Sequence, residues 1–166
     1  SSSAASDVYK RQDIGQEEII IDVLTGVGID NLSVPLLGEL GRAYNNNDKP
    51  EEAIKVFKAI DTEHRDAVWY YRCAYSHGSI ASTNHEAYTS ENMQQMLALV
   101  DSGVQLATKE DRNDIKEYCF EVMDMCRLQM DFEKCEIDYP DLCLNYSKYI
   151  AEKKKKREGV PRQRTI

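Results

Sequence analysis

The sequence has no apolar run approaching the roughly 20 residues that a membrane-spanning helix requires. It also has no pattern of a secretory signal, and its five cysteines form no C-x-x-C pair. An odd number of cysteines without such pairs is typical of reduced thiols rather than of a disulfide framework. We therefore expect a cytoplasmic protein that does not enter a membrane.

Motifs that carry catalysis or bind a cofactor are also missing. The three histidines, His64, His77 and His85, lie in neither an H-E-x-x-H nor an H-x-E context. Residues 26–30, GVGID, contain a G-x-G but lack the third glycine and the preceding strand of a dinucleotide-binding loop. We predict that the protein is not an enzyme and needs no cofactor.

The cysteines leave one alternative open. Cys119 and Cys126 are seven residues apart and share a helix face, and Cys135, Cys143 or a histidine could join them around a zinc ion. The short ligand spacing usual in zinc sites is absent, however. Small buried thiols are the simpler interpretation, so we predict no metal site.

Charge is unevenly distributed along an acidic chain. The formal net charge is −8, yet seven of the 21 Lys and Arg residues lie from Lys153 onward, beside a single acid, Glu158. This basic tail could bind nucleic acid or an anionic surface, but a solvated helix end is the more common outcome. Because the remaining chain is acidic, we expect neither nucleic acid nor a membrane as partner.

The two ends differ in composition from the middle of the chain. Residues 1–13 have little apolar content and no periodicity, and they resemble translated adapter sequence. The chain as a whole is 42% apolar and 30% charged, which suffices for a core. We predict a disordered or artefactual segment at 1–13, one helical domain at 14–156 and a basic disordered tail at 157–166.

Residues 33–60 predict two helices joined by a tight turn. In the first helix, Leu37, Leu40, Gly41 and Tyr44 follow the i, i+3, i+4, i+7 spacing of one helix face. Glycine costs roughly 1 kcal/mol relative to alanine inside a helix. Its position on the packed face therefore predicts the close approach of a neighbouring helix.

The turn and the second helix follow from the next residues. Three asparagines, 45–47, suit the turn that ends the first helix, and Asp48 and Pro50 suit the first turn of the next one. The inner face of this second helix is predicted to hold Ala53, Ile54, Phe57 and Ile60.

Five of these residues match a known repeat. Leu40, Gly41, Tyr44, Ala53 and Phe57 fit, in type and spacing, the L-G-x-x-Y and A-x-x-x-F pattern of the tetratricopeptide repeat, whose period is about 34 residues. The chain therefore resembles this family over residues 16–79. A forward shift of 33 residues reaches Cys73, Ala74 and His77, which depart from the consensus, and a backward shift reaches Ile20, Leu24 and Val27.

Beyond residue 107 only the helical architecture continues the pattern. Residues 90–100 repeat the helical spacing after a loop about seven residues longer than expected. Pro140 then opens a last helix. Between them, residues 110–130 predict a helix whose inner face holds Ile115, Tyr118, Cys119, Val122 and Cys126.

The resemblance implies an all-α, right-handed superhelix of helical hairpins and a non-enzymatic scaffold that binds a protein partner, as a peptide or helix, in a concave groove. Groove positions carried over from the family are Arg42, Asn45, Asn46, Tyr71 and Tyr75. Repeats that clamp a C-terminal carboxylate use Lys and Asn where this chain has Gly38 and Arg42, so we do not expect that ligand.

An alternative function rests on residues 16–26. They are similar to the second helix of a repeat whose first helix is missing, and such a helix exposes an apolar face. The chain would then be an accessory or oligomerisation domain truncated from a larger repeat protein, a homo-oligomer through this helix.

Overall fold

A computed structural model describes the backbone of residues 2–83 and 90–159, and the side chains of residues 15–83 and 91–159. This part of the chain is all-helical and contains no strand, which confirms the predicted all-α class. Its α-helices are α1 (Ser2–Val27), α2 (Val34–Asn46), α3 (Pro50–Lys58), α4 (Ala67–Thr83), α5 (Ser90–Lys109), α6 (Asn113–Met125), α7 (Phe132–Asp138) and α8 (Pro140–Gly159). Two short 3-10 helices span Ile29–Asn31 and Thr62–His64.

The turn between α2 and α3 forms where the sequence predicts it. Helix α2 ends at Asn46, and Pro50 is the first residue of α3, where its missing N–H costs nothing. Asp48 does not cap α3 as expected. It has a φ of 55°, a left-handed conformation that Asp tolerates better than most residues, and Lys49 occupies the N-cap position.

Gly41 lies where α3 comes closest to α2. A Cβ atom at this position would lie 2.5 Å from Cζ and 2.8 Å from Cδ1 of Phe57, whose side chain is fully buried. Only a residue without a side chain therefore leaves room for the phenyl ring. Leu40, Ala53 and Ile60 are buried around the same contact, as predicted.

Consecutive helices pair in antiparallel hairpins. Between α4 and α5, the ring of His77 lies 3.0 Å from the amide oxygen of Asn92, whereas a Cβ on Gly103 would lie 3.2 Å from Cβ of Tyr70. Later residues of one helix thus face earlier residues of the other.

Helices α6 and α8 form the same kind of pair. The Tyr146 hydroxyl donates to Asp124, while Tyr149 stacks on Phe120. The contacting positions again run in opposite directions along the two helices. The short helix α7 lies in the connection between them; the sequence analysis assigned no helix to that segment.

The first helices of the three hairpins run parallel and contact their neighbours. The carbonyl oxygen of Gly38 in α2 accepts from Arg72 in α4, and one turn or more later Asn45 bonds to Ser76. Between α4 and α6, Tyr71 stacks on Tyr118, and the Cys126 thiol donates to the Gly78 carbonyl. Helices α2, α4 and α6 therefore form one continuous side of the molecule.

The apolar core has two parts that meet at α4. One surrounds Phe57 and Trp69 and joins α1, α2, α3 and α4. The other surrounds Met96 and Met123 and joins α4, α5, α6, α7 and α8. All five cysteines are buried and none forms a disulfide, which agrees with the predicted thiols.

Helix α1 differs in detail from the expectation. Ile20 is half-buried and Leu24 is buried against α2, as the repeat implies, but Val27 is 50% exposed because α1 ends there and the chain turns at Gly28. The helix begins at Ser2, within the segment 1–13 that was predicted to be disordered or artefactual.

Two predicted segments fall partly outside the described residues. These are residues 84–89 of the loop predicted before residue 90, and residues 160–166 of the basic tail, whose residues 157–159 belong to α8. Within the described parts of the chain, no helix is long and apolar enough to cross a membrane.

Candidate functional site

A groove opens along the side formed by α2, α4 and α6. It encloses about 420 Å³. All five residues assigned to partner binding from the sequence line it, namely Arg42, Asn45, Asn46, Tyr71 and Tyr75. The groove is wider than the sequence predicts, because α4 adds Val68 and Arg72, and α6 with its N-cap residue adds Arg112, Asp114, Ile115 and Tyr118.

The wall between α4 and α6 is aromatic. The rings of Tyr71 and Tyr118 stack with centroids 5.3 Å apart and an interplanar angle of 29°. Tyr118 was predicted on the buried face of α6, but it is 44% exposed. It lies at the edge of the apolar stripe, where the neighbouring residues Ile115 and Cys119 take the buried positions. Tyr75, half-buried, extends this wall by one turn.

The wall formed by α2 carries a charged network. Arg42 donates to Glu17 of α1 at 2.9 Å and to Glu39 at 3.0 Å, and Glu39 also lies 3.5 Å from Arg72. Burial disfavours the charged form of Arg42, but the hydrogen bonds that it donates to the two glutamates, together with their charge, outweigh this effect and raise its pKa. Burial lowers the pKa of Arg72, against the attraction of Glu39. These contacts hold both arginines at the groove.

The side chain of Asn45 connects α2 to α4. Its side-chain amide donates to the carbonyl oxygen of Arg72 at 3.0 Å, and its oxygen accepts from the Ser76 hydroxyl at 2.7 Å. The residue is buried, so both polar ends serve the α2–α4 contact. Asn46, by contrast, is exposed at the groove rim and reaches Glu17 only at 3.4 Å.

The far end of the groove is marked by an ion pair at the start of α6. Arg112 donates from Nε and Nη2 to the two carboxylate oxygens of Asp114, each at 3.0 Å. Both residues are exposed. Because an exposed pair of this kind contributes little to stability, Arg112 can exchange its partner at small cost.

The cysteines do not assemble into the zinc site that was considered. Among the described residues, one group of three potential ligands lies close together: Asp61, Glu63 and His64, all exposed. Burial raises the pKa of Cys119 to about 12 and that of Cys126 to about 11. Because the thiolate is the nucleophile and the metal ligand, these thiols are poorly suited to either role.

A second cavity of about 640 Å³ lies between α5 and α7, over Met93, Leu97, Cys135 and Tyr139. It contains none of the residues predicted to bind a partner.

Comparison of the chain with protein-family models, with curated proteins and with solved structures gave no match.

Proposed function

We propose that this chain is a tetratricopeptide-like scaffold, a right-handed superhelix of helical hairpins that binds a peptide or helix of a partner protein in the groove between α2, α4 and α6. The proposal includes no catalytic step, no cofactor and no metal. A cytoplasmic location is part of it, because five buried, unpaired thiols suit a reducing compartment.

The helix arrangement supports the repeat assignment. Three antiparallel hairpins follow one another, and their first helices run parallel and in contact. The glycine of the L-G-x-x-Y pattern lies under the phenylalanine of the A-x-x-x-F pattern, which gives this pair of consensus positions a steric reason.

One observation carries the binding function. Residues assigned from two successive repeats, about 33 positions apart in sequence, meet in one groove together with residues of a third helix. A groove that draws on several repeats is the usual binding surface of such arrays. Its tyrosines offer flat contact area at low entropic cost, and its arginines and Asn46 offer hydrogen bonds.

Peptide selection with a matched pair of variants tests this function. Random peptides displayed on phage would be selected on the intact chain and then tested against Tyr118→Ala and Tyr149→Ala. The two tyrosines make equivalent stacks, since each has one partner ring at 5.3 Å with interplanar angles of 29° and 28°. Only Tyr118 lines the groove.

We expect the selected peptides to lose roughly tenfold or more in affinity for Tyr118→Ala and to bind Tyr149→Ala like the parent chain. Equal losses in both variants, or in neither, would contradict a binding site in this groove.

A second candidate function rests on α1. Ile19, Val23 and Val27 are 63%, 59% and 50% exposed, and their i, i+4, i+8 spacing aligns them along one face. Such a face suits the homo-oligomer considered as the alternative function. Light scattering over a range of concentrations tests it: the parent chain would associate and an Ile19→Lys/Val23→Lys variant would remain monomeric. A monomeric parent chain would remove this candidate.

A further inference from the structure

Each of the three arginines of the groove keeps one nitrogen without a partner among the described residues. Arg42 uses Nε and Nη1, Arg72 uses Nη1 and Nη2, and Arg112 uses Nε and Nη2. Among the described residues, one nitrogen of each guanidinium has no partner: Nη2 of Arg42, Nε of Arg72 and Nη1 of Arg112. A guanidinium offers N–H donors and no acceptor, so these atoms can be satisfied only by water or by acceptors of a ligand.

The solvent-exposed carboxylate oxygens that contact these arginines are already engaged with them. Both oxygens of Glu39 contact arginines, and both oxygens of Asp114 accept from Arg112. The Oε1 atom of Glu17 accepts from Arg42, and its Oε2 atom is buried without a hydrogen-bond partner. A basic ligand would therefore have to share these carboxylates with the arginines already bound to them.

The local charge balance points to the same class of ligand. The chain carries a formal charge of −8, but the three arginines balance the three acids that contact them. Two further acids act on these arginines, Asp66 on Arg72 and Arg112 and Glu110 on Arg112, so the groove is less acidic than the protein as a whole without being free of negative charge. An acidic ligand would meet less repulsion there than elsewhere, and charge-assisted hydrogen bonds to guanidinium are stronger than neutral ones.

The aromatic wall adds a second requirement. Tyr71 and Tyr118 lie across the groove from Arg42, with Val68 and Ile115 lining the same part. An extended chain lying along α4 would place alternate side chains on opposite sides, one toward the tyrosines and the next toward Arg42 and Arg72. Arg112 lies on the α6 side, just before that helix begins.

Resting on the proposed function, we propose that the groove selects an acidic peptide: an extended segment that presents Asp or Glu carboxylates to Arg72 and Arg112 and a large apolar side chain to the Tyr71–Tyr118 stack. The peptide carboxylate would bind the free Nη1 of Arg112 and the free Nε of Arg72. The Arg112–Asp114 pair is exposed and can reorient to admit it.

The test uses the peptides selected on the intact chain. Their composition would be compared with the unselected library, and one peptide would be synthesised in its native form and with its acidic residues replaced by the matching amides. Affinities for the parent chain, Arg112→Gln and the control Arg127→Gln would be measured by fluorescence anisotropy. Arg127 is an exposed arginine just after α6, 4.0 Å from Asp124, and it lies outside the groove.

We expect the selected peptides to be enriched in Asp, Glu and large apolar residues. Their affinity for the parent chain should fall roughly tenfold when the acidic residues are replaced by amides. The Arg112→Gln substitution should reduce the affinity for the native peptide by a similar factor. It should reduce the affinity for the amide peptide by a smaller factor, whereas Arg127→Gln should bind both peptides like the parent chain. Such non-additivity identifies a direct interaction between the two groups.

Two outcomes would overturn the inference and can be told apart. If the selected peptides are basic or uncharged but their binding depends on Tyr118, the groove is still a binding site, and its preference for acidic peptides is refuted. Failure to select any peptide that depends on Tyr118 would refute the proposed function and the inference together.

Discussion

Replacing Gly41 by alanine should destabilise the protein, although alanine is the better helix former. The added Cβ would lie within 3.0 Å of three atoms of the Phe57 ring. This ring is fully buried between Leu40, Ala53 and the neighbouring helices, so it cannot turn out toward solvent. Either the ring or the α2–α3 spacing has to shift.

The size of the effect is the difference between two opposing contributions. The helix propensity of alanine favours the variant by about 1 kcal/mol. Overpacking a dense core costs about 1–3 kcal/mol, and this case belongs at the upper end because three ring atoms are involved. We expect a net loss of about 2 kcal/mol in the free energy of unfolding, or roughly 4–8 °C in melting temperature.

Urea unfolding followed by circular dichroism measures this loss, with Gly26→Ala as the control. Gly26 lies in α1 and has no atom within 4 Å of its would-be Cβ, so the same substitution there should be neutral or stabilising by up to about 1 kcal/mol. In Gly41→Ala/Phe57→Leu, the smaller side chain should recover part of the loss, relative to the sum of the two single changes. A Gly41→Ala protein as stable as the parent would refute the assignment of Gly41 as a close-packing position.

Three further predictions concern buried polar and titratable groups. Asn45→Ala should cost about 1–3 kcal/mol, because it leaves the buried Ser76 hydroxyl with one partner fewer, whereas Asn46→Ala at the exposed rim should change urea stability by less than about 0.5 kcal/mol; equal effects would contradict the structural position of Asn45. Burial lowers the pKa of His77 in the folded state. The contribution of His77 to the free energy of unfolding is therefore present above its unfolded pKa near 6.5 and is lost as the pH falls below that value. His77→Gln should reduce the drop in stability between pH 7.5 and pH 5, and an unchanged drop would contradict this. Burial raises the pKa of Cys119 to about 12. The contribution of Cys119 to the free energy of unfolding is therefore present below its unfolded pKa near 9 and is lost as the pH rises toward 12. Between pH 8 and pH 10.5 the free energy of unfolding should decrease less for Cys119→Ala than for the parent, and an equal decrease would refute this prediction.

The local parts of the fold could be predicted because they depend on neighbours in sequence. The Leu40-Gly41-Tyr44 spacing and Pro50 specify a helix, a tight turn and a second helix within residues 33–60, and the structure has all three. Helix α7 was missed because seven residues are too few to show a helical period.

The groove was only partly predictable, because it depends on which helices meet. Spacing alone places Tyr118 with Ile115 and Cys119, and only the position of α4 shows that its ring faces Tyr71 and the groove. The side-chain amide of Asn45 could bind a ligand as far as the sequence tells. Only the structure shows that this amide is already hydrogen-bonded to the backbone of Arg72 and the hydroxyl of Ser76. Val27 was misplaced because the repeat shift takes no account of where α1 ends.

Backbone amide NMR can show whether α2, α4 and α6 together form a binding surface for a peptide. Chemical shifts of the intact, isotope-labelled chain would be followed while a selected peptide is added. We predict that the largest changes fall at residues 42–46, 71–75 and 112–118, with small changes along α1. Changes concentrated at residues 19–27, with the groove unaffected, would contradict this prediction and make the exposed face of α1 the interaction surface.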